Sequence, residues 1–465
     1  MKVLLINPPS KDREEFGQKC FPPVNLLYLA SALISEGYEA DVLDANALKL
    51  DEDGIVRRAA SAEPDLVGLS VPSETLPASY KLTSMLKFAL PSARMVLGGP
   101  HANAIPRRVL EEFKSADYVL RGESEKSIVE LCRYIEDKIP VREVEGLFYR
   151  IEGGIAENAP VRPKEDIDRL RHPAKELLED LYRKNEYYMI LVKETPIDTL
   201  ITSRGCPFHC GFCCNKSQKY RARSPENVME EISAMHEKGI RNFDIADANF
   251  TFDKGRAFKI FELIRKEGLK ISFRFKSRTD SIDEKLINAA REAGAYLVSL
   301  GMESGSQAVL ERMKKGTRLK ESVEACETVL KAGLKLNTGW IIGYPGETRE
   351  TVEETVKLIK KIRPTTANIN ILVPYPGTDV YEYARDRGML SHEWSANSYK
   401  TPWVRLPWIK TYADIKEILR EAKNRIYYSP CYMASFAREI IFNMNIRLAR
   451  YTFQEALKSV KRTVI

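Results

Sequence analysis

The sequence predicts an α/β protein: an N-terminal doubly wound parallel sheet, a partial barrel of six β/α units, and a mainly helical C-terminal extension. Three observations predict it. Between Lys2 and about Ile139, short apolar runs alternate with stretches of helical periodicity, as parallel strands joined by crossover helices do. A weakly patterned segment follows, and from Asp198 the alternation resumes through six regular units. Beyond about residue 380 the chain becomes aromatic-rich and helical. The expected domains are residues 1–140, a linker over 141–197, the barrel over 198–380 and the extension over 381–465. A chain of 465 residues suits two or three domains of roughly 100–200 residues each.

In the first domain, KVLLI is a strand that ends at Asn7-Pro8-Pro9, and VNLLYLASALISEG is a helix closed by Gly37. EADVLD, DLVGLSV and ARMVLGG are further buried strands. Ligands of such sheets bind at the carboxyl ends of the strands. Those ends carry Asn7, Asp44, Ser70, the Gly98-Gly99-Pro100-His101 run and Arg121-Gly122-Glu123. The glycine pair either lets a ligand approach the backbone or simply turns the chain. In the linker, EGLFYRIEGGIAEN predicts a hairpin around Gly153-Gly154, and HPAKELLEDLYRKN a short helix.

The barrel strands are expected at DTLITS, IRNFDIAD, KISFRFKS, AYLVSLGME, LKLNTGWIIGY and TANINILVPY. Helical stretches such as PENVMEEISAMHEKG, GRAFKIFELIRKEG, DEKLINAAREAG and RETVEETVKLIKKI separate them. An active site in this architecture lies at the C-terminal ends of the strands.

Composition narrows the function classes. Hydrophobic residues make up 44% and charged residues 29%, which fits a folded globular protein and excludes long low-complexity regions. With 72 Lys+Arg against 65 Asp+Glu, the excess of +7 is spread thinly and no long run of like charge occurs, so no nucleic acid partner is expected. The opening MKVLLINPPS is too brief for a signal-peptide core, and a cytoplasmic location is the expectation. In a reducing cytosol the eight cysteines do not imply disulfides.

Cys20, Cys132, Cys326 and Cys431 are isolated, whereas Cys206, Cys210, Cys213 and Cys214 crowd one loop directly after the first barrel strand. Cys206, Cys210 and Cys213 have C-x3-C-x2-C spacing among Gly205, Pro207 and Gly211, and thiolates are soft ligands for zinc or an iron–sulfur cluster. Structural zinc wants four ligands; Cys214 and His209 are available, but each adjoins a cysteine already counted, and no separated second pair follows. A four-iron cluster held by three thiolates leaves one iron open to a small molecule.

RGCPFHCGFC after a strand resembles the radical S-adenosylmethionine (SAM) enzymes. The resemblance implies that Cys206, Cys210 and Cys213 hold a [4Fe-4S] cluster whose fourth iron binds SAM. Reduction then splits SAM into methionine and a 5′-deoxyadenosyl radical that abstracts hydrogen. GMESGS resembles the family's ribose-binding element, which implies SAM contacts at Glu303 and Ser304. GWIIGYPGET resembles its fifth-strand element, with Ile342 and Gly343 against the adenine, and Phe212 occupies the position whose backbone touches adenine. The family's two glycines and glutamate after the second strand are replaced by IADANF, which leaves Asp247 or Asn249 for the SAM amino group; Lys315 and Arg278 are candidates for its carboxylate.

The order of an α/β domain before such a barrel resembles the cobalamin-binding group of the superfamily, through LLINPPS, GLSVPS, GGPHAN and RGESE. This Rossmann-like domain implies cobalamin contacts at Ser70, Gly98, Gly99, His101, Gly122 and Glu123. One departure stands out: where D-x-H-x-x-G supplies an axial histidine, this chain has DANALK, with Asn46 in the histidine position. The group methylates unactivated carbons or forms rings and carbon–carbon bonds.

The extension carries Trp394, Tyr399, Trp403, Trp408, Tyr412, Tyr427 and Tyr428, which shape a substrate pocket or form plain core. Residues 436–465 predict a basic amphipathic helix, either docked on the protein or lying peripherally at the inner face of a membrane. A small-molecule or lipid-like substrate and a low-potential electron donor such as ferredoxin or flavodoxin are the implied partners. Competing readings are a methylthiotransferase-like enzyme, which needs three further cluster cysteines, and a non-catalytic iron–sulfur or zinc protein.

Overall fold

KVLLIN forms a strand because four successive apolar residues, Val3 to Ile6, are buried on both faces. This strand, β1 (Lys2–Asn7), pairs in parallel with β2 (Glu39–Asp44) on one side and β3 (Leu66–Ser70) on the other. Beyond β3 come β4 (Arg94–Gly98) and β5 (Tyr118–Leu120), both parallel, giving the order β2-β1-β3-β4-β5 at this end of a seven-stranded sheet. The order reverses between β1 and β3, where a ligand crevice is expected. Helix α1 (Val24–Ser35) buries Leu26, Leu27, Ala30 and Leu33. Burying one leucine contributes roughly 1.5–3 kcal/mol.

The computed structural model describes residues 1–9, 19–163, 165–189, 192, 195–430 and 432–433. They divide into two units: Met1–Met189 with Trp394–Thr401, and Ile190–Glu393 with the described residues from Pro402 on. The first unit therefore runs past the expected boundary at 140. The hairpin expected in a linker, β6 (Leu147–Ile151) and β7 (Gly154–Glu157), adds to β5 as two antiparallel strands of the same sheet. Alternation in a short strand reveals its type and not the sheet it joins, so this pairing was invisible in the sequence.

The second unit holds β8 (Ile197–Leu200), β9 (Asn242–Ile245), β10 (Ser272–Ser277), β11 (Ala295–Glu303), β12 (Lys335–Ile342) and β13 (Thr366–Ile371). They pair in chain order and all in parallel, as the regular β/α beat predicts. Period two sorts their side chains. Phe273 and Phe275 lie buried against Phe261 of helix α2 (Lys254–Lys266), the Phe261 and Phe273 rings stacking at 5.8 Å. The alternate positions are polar: Arg274 pairs with Asp244 at 2.7 Å, and Asn337 takes up Ser299 at 3.2 Å and Asn368 at 3.0 Å.

The extension supplies helix α5, whose label follows helices α3 (Arg349–Ile362) and α4 (Asp379–Asp386); it spans Tyr412–Tyr427 and starts at a Thr411–Asp414 capping box. The basic helix expected over residues 436–465 lies outside the described residues. No described helix is long and apolar enough to cross a membrane.

Candidate functional site

The cysteine loop leaves β8 through Ser203–Arg204, which pairs antiparallel with Arg221–Ala222 and so closes the loop at its base. Gly205 enters it at φ +82, and a Cβ there would collide with the Lys219 carbonyl, so only glycine fits. Inside the loop, Gln218 N donates to Cys206 O at 2.9 Å and Ser217 N to Phe208 O at 2.8 Å. Gly211 is gripped from outside: its N–H donates to Met313 O at 2.8 Å, and its carbonyl accepts from Val380 N, at 3.0 Å, in α4. Asp379, the first residue of α4, pairs with Lys216 of the loop and with Lys314, the latter at 2.8 Å. The loop is thus preformed, with Cys210 buried and Cys206 and Cys213 half-buried.

Cationic groups converge on it. Arg278 directs Nη1 to the Cys210 sulfur at 3.6 Å, donates from Nη2 to the Lys315 carbonyl at 2.8 Å, and pairs with Asp280 at 2.7 Å. Burial pushes the Cys210 thiol up from its ordinary value, opposed first by Lys315 and then by Arg278. Lys315 pairs with Glu303 at 2.8 Å, both largely buried. Glu303 has φ +64, uncommon for a non-glycine residue, at the register shift that ends β11. A side chain at Gly301 would collide with the Glu303 carboxylate, so the glycine makes room for this pair.

Two candidates in the loop after β9 separate. Asp247 is saturated: it accepts from Thr202 N at 2.7 Å, Thr202 Oγ1 at 2.6 Å and Ser203 Oγ at 2.6 Å, which pins the entry to the cysteine loop. Asn249 accepts the Arg278 N–H at 3.2 Å through Oδ1, while its Nδ2 is buried with no hydrogen-bond partner among the described residues. A buried donor left over beside Arg278 is what a ligand would satisfy.

Ile342, the last residue of β12, is buried, and Gly343, at φ +97, opens a turn. Glu347 folds back to accept the Gly343 N–H at 2.6 Å. Burial pushes its carboxyl up to about 7. The Tyr344 hydroxyl reaches Arg312 O at 3.2 Å and lies 2.9 Å from where a Cβ on Gly211 would stand, so the turn touches the cysteine loop. Phe212 is half-buried in that loop, and Ser304 is buried, its hydroxyl accepting from Ser306 N at 3.2 Å.

In the first unit the candidates gather at the carboxyl ends of β3 to β5. Ser70 ends β3 and is in register with Gly98 of β4. Gly99, at φ +93, is so close to Ser70 and Val71 that its missing Cβ would be 2.9 Å from Ser70 Oγ. Gly122 donates its N–H to Asn103 Oδ1 at 2.8 Å, and Glu123 is half-buried beside it. His101 is buried, its Nδ1 is 2.9 Å from Ser73 Oγ, and Trp394 packs edge-on at 5.7 Å. Burial lowers His101 to about 4, which keeps the imidazole neutral near pH 7. Asn46 donates to Cys20 Sγ at 3.4 Å, and Lys49, where the D-x-H-x-x-G pattern has glycine, adopts φ +55.

Several contributors escaped sequence reasoning: Asp379 and Met313 as clamps of the loop, and the carboxyl of Glu347. Asp379 and Met313 act through contacts distant in sequence, which no spacing encodes, and Glu347 acts by folding back on Gly343, four residues before it. Of the extension's aromatics, Trp394 and Trp403 are buried packing, Trp408 and Tyr427 reach backbone carbonyls, and Tyr399 and Tyr428 are exposed. Among the described residues, no three His, Cys, Asp or Glu side chains are gathered as one metal ion requires. Cys20 and Cys132 are buried, Cys132 within a helix of the first unit, and neither joins a second cysteine cluster among the described residues.

The chain matches two family models, the radical SAM superfamily over residues 200–359 and the B12 binding domain over residues 17–132. It is 34% identical over 438 residues to a protein of Pyrococcus horikoshii described as an uncharacterized methyltransferase, covering 92% of this chain and 93% of that one. It is 31% identical over 408 residues to the anaerobic magnesium-protoporphyrin IX monomethyl ester cyclase of Rubrivivax gelatinosus, covering 83% and 70%. Among solved structures, the radical SAM methyltransferase TsrM of Kitasatospora setae, with cobalamin and a [4Fe-4S] cluster bound, shares the fold at a TM-score of 0.74 and 18% identity, over 92% of this chain and 90% of that one. An α/β sheet unit followed by a six-stranded parallel unit with a cysteine loop after its first strand defines a class of enzyme. This chain belongs to the radical SAM superfamily, in the group that carries a B12-binding domain.

Proposed function

We propose that this chain reductively cleaves SAM on a [4Fe-4S] cluster held by Cys206, Cys210 and Cys213, and uses the radical with cobalamin to modify an unactivated carbon of a small molecule. The observation that carries this is the cysteine loop itself: three thiols on a braced, glycine-dependent turn, with Arg278 at the Cys210 sulfur and the Lys315–Glu303 pair beside it.

The residues present fit these groups. Soft thiolates suit iron–sulfur ligation, and the spare donor of Asn249 together with the cations of Arg278 and Lys315 suits the amino acid end of SAM. Gly99, whose Cβ would meet Ser70 and Val71, packs the ends of β3 and β4 together, and the carboxyl ends of these strands are where a large ligand would lie. The chemistry supplied by the bound groups is one-electron reduction of SAM to methionine and a 5′-deoxyadenosyl radical, and methyl transfer or one-electron chemistry from the corrinoid.

The chain's own residues bind, orient and exclude. Arg278 neutralises thiolate charge at Cys210 while holding the Lys315 backbone. Glu303 would accept the ribose hydroxyls, Lys315 would meet the carboxylate of SAM, and Ile342, Gly343 and the Phe212 backbone would pack on adenine. Asp247 does no ligand binding in this scheme and fixes the loop entry instead. Ser70, Gly98, Gly99, His101, Gly122 and Glu123 would hold the corrinoid, with His101 neutral and tied to Ser73. A low-potential carrier such as ferredoxin or flavodoxin supplies the electron.

The relatives include a methyltransferase and a cyclase, so methyl transfer and ring formation are both open to this scaffold. The test is anaerobic reconstitution with iron, sulfide and hydroxocobalamin, followed by reduction in the presence of SAM. Wild-type protein should form 5′-deoxyadenosine and Cys210→Ala should form none. Equal background release from both proteins would sink the proposal.

A further inference from the structure

The turn from Ile342 to Thr348 is costly to fold. Gly343 and Gly346 both take left-handed backbone, at φ +97 and +88. The Glu347 carboxyl is buried, with Oε2 on the Gly343 N–H and Oε1 without a hydrogen-bond partner among the described residues. A turn that buries a half-satisfied carboxyl needs an external brace to hold one shape.

The C-terminal extension provides it at two points. The Trp408 indole Nε1–H donates to the Glu347 carbonyl at 2.7 Å. Ile415 of α5 places its Cδ1 2.8 Å from where a Gly343 Cβ would stand, so it fills the space that the glycine leaves. The helix bearing Ile415 is itself fixed: Arg425 forms a two-point pair with Glu353 of α3 at 2.6 and 2.8 Å, and Arg349 lies 5.7 Å from the Trp408 ring. Trp408 is only half-buried, so its polar contact to the turn, rather than core packing, is its main role.

We propose that Trp408 and Ile415 are positioning residues for SAM, so that the extension beyond the barrel, through the Gly343–Glu347 turn, sets the affinity for SAM. This rests on the reading above that the turn meets the adenine.

The experiment uses full-length, cluster-reconstituted protein and SAM itself. Trp408→Phe keeps an aromatic ring, smaller than the indole, and deletes the donor; Ile415→Ala opens the space beside Gly343. Trp403→Phe, in the same extension and packed on Tyr412 instead, is the control. Both test variants should bind SAM about fivefold to tenfold more weakly in equilibrium dialysis. Their KM for SAM should rise in 5′-deoxyadenosine formation with kcat unchanged, their iron content should match wild type, and amides 342–348 should exchange faster. Trp403→Phe should match wild type in SAM affinity. Wild-type affinity in Trp408→Phe, or equal weakening in Trp403→Phe, overturns the inference alone. A wild-type protein that carries the cluster and binds no SAM overturns the site reading and this inference with it.

Discussion

The guanidinium of Arg278 lies over the ring of Phe208, 3.6 Å from its centroid. Phe208 stands between Cys206 and Cys210, so one buried cation is stacked on the cysteine loop while also pointing at the Cys210 sulfur. Arg278→Met removes the stack and the charge and leaves Asp280 without its partner. It should lower unfolding free energy by about 3 kcal/mol and reduce iron retained after gel filtration. Arg278→Lys should recover less than half of either quantity, because an ammonium cannot reproduce the planar fork. Denaturant titration and iron analysis give both numbers.

Asp247 and Asn249 are two residues apart and should behave oppositely. Asp247→Ala strands Thr202 and Ser203 donors and should cost about 3 kcal/mol of stability, with loss of cluster loading. Asn249→Ala strands only the Arg278 N–H and should cost about 1–2 kcal/mol, yet weaken SAM binding several-fold. Thermal melts paired with SAM dialysis separate them.

Glu347 predicts a pH dependence of stability. Its folded-state carboxyl is raised by burial from 4.5 to about 7. Between those values the folded state holds a proton that the unfolded state has released, so stability falls as pH rises across the window. The full penalty, on the order of 3 kcal/mol, is present above about pH 7. Glu347→Gln should lose this slope, so the wild-type minus variant difference in unfolding free energy should become more negative from acidic to neutral pH. Urea titrations across that range measure it.

Asn46 bonded to Cys20 leaves no imidazole at the D-x-H-x-x-G position. Cob(II)alamin bound to wild-type protein should therefore show an electron paramagnetic resonance spectrum without nitrogen splitting from the protein. Asn46→His should introduce that splitting. Nitrogen splitting in the wild type would instead assign a histidine elsewhere, with His101 the first to test.

The parallel strands of both sheets were legible in the sequence because buried strands and crossover helices alternate over long stretches, and periodicity accumulates with length. The cysteine loop was legible too, as its residues are contiguous. Arg278 and Lys315 stand out by charge and position and Glu303 by the resemblance of GMESGS to a ribose-binding element, and the structure brings all three to Cys210 or to one another. What stayed hidden depends on contacts between distant segments. The hairpin's attachment to β5, the docking of Trp394–Thr401 on the first unit and the saturation of Asp247 by Thr202 and Ser203 leave no local trace. Asp247 and Asn249 are equally polar in the sequence, and only their partners distinguish a strut from a spare donor.

The most direct measurement is the electron paramagnetic resonance spectrum of the reduced, anaerobically reconstituted protein with and without SAM, alongside iron, sulfide and zinc analysis. Four irons and four sulfides per chain, with a spectrum that shifts when SAM is added, are expected if three thiols leave one iron open to SAM. Stoichiometric zinc, or a cluster signal indifferent to saturating SAM, would contradict it.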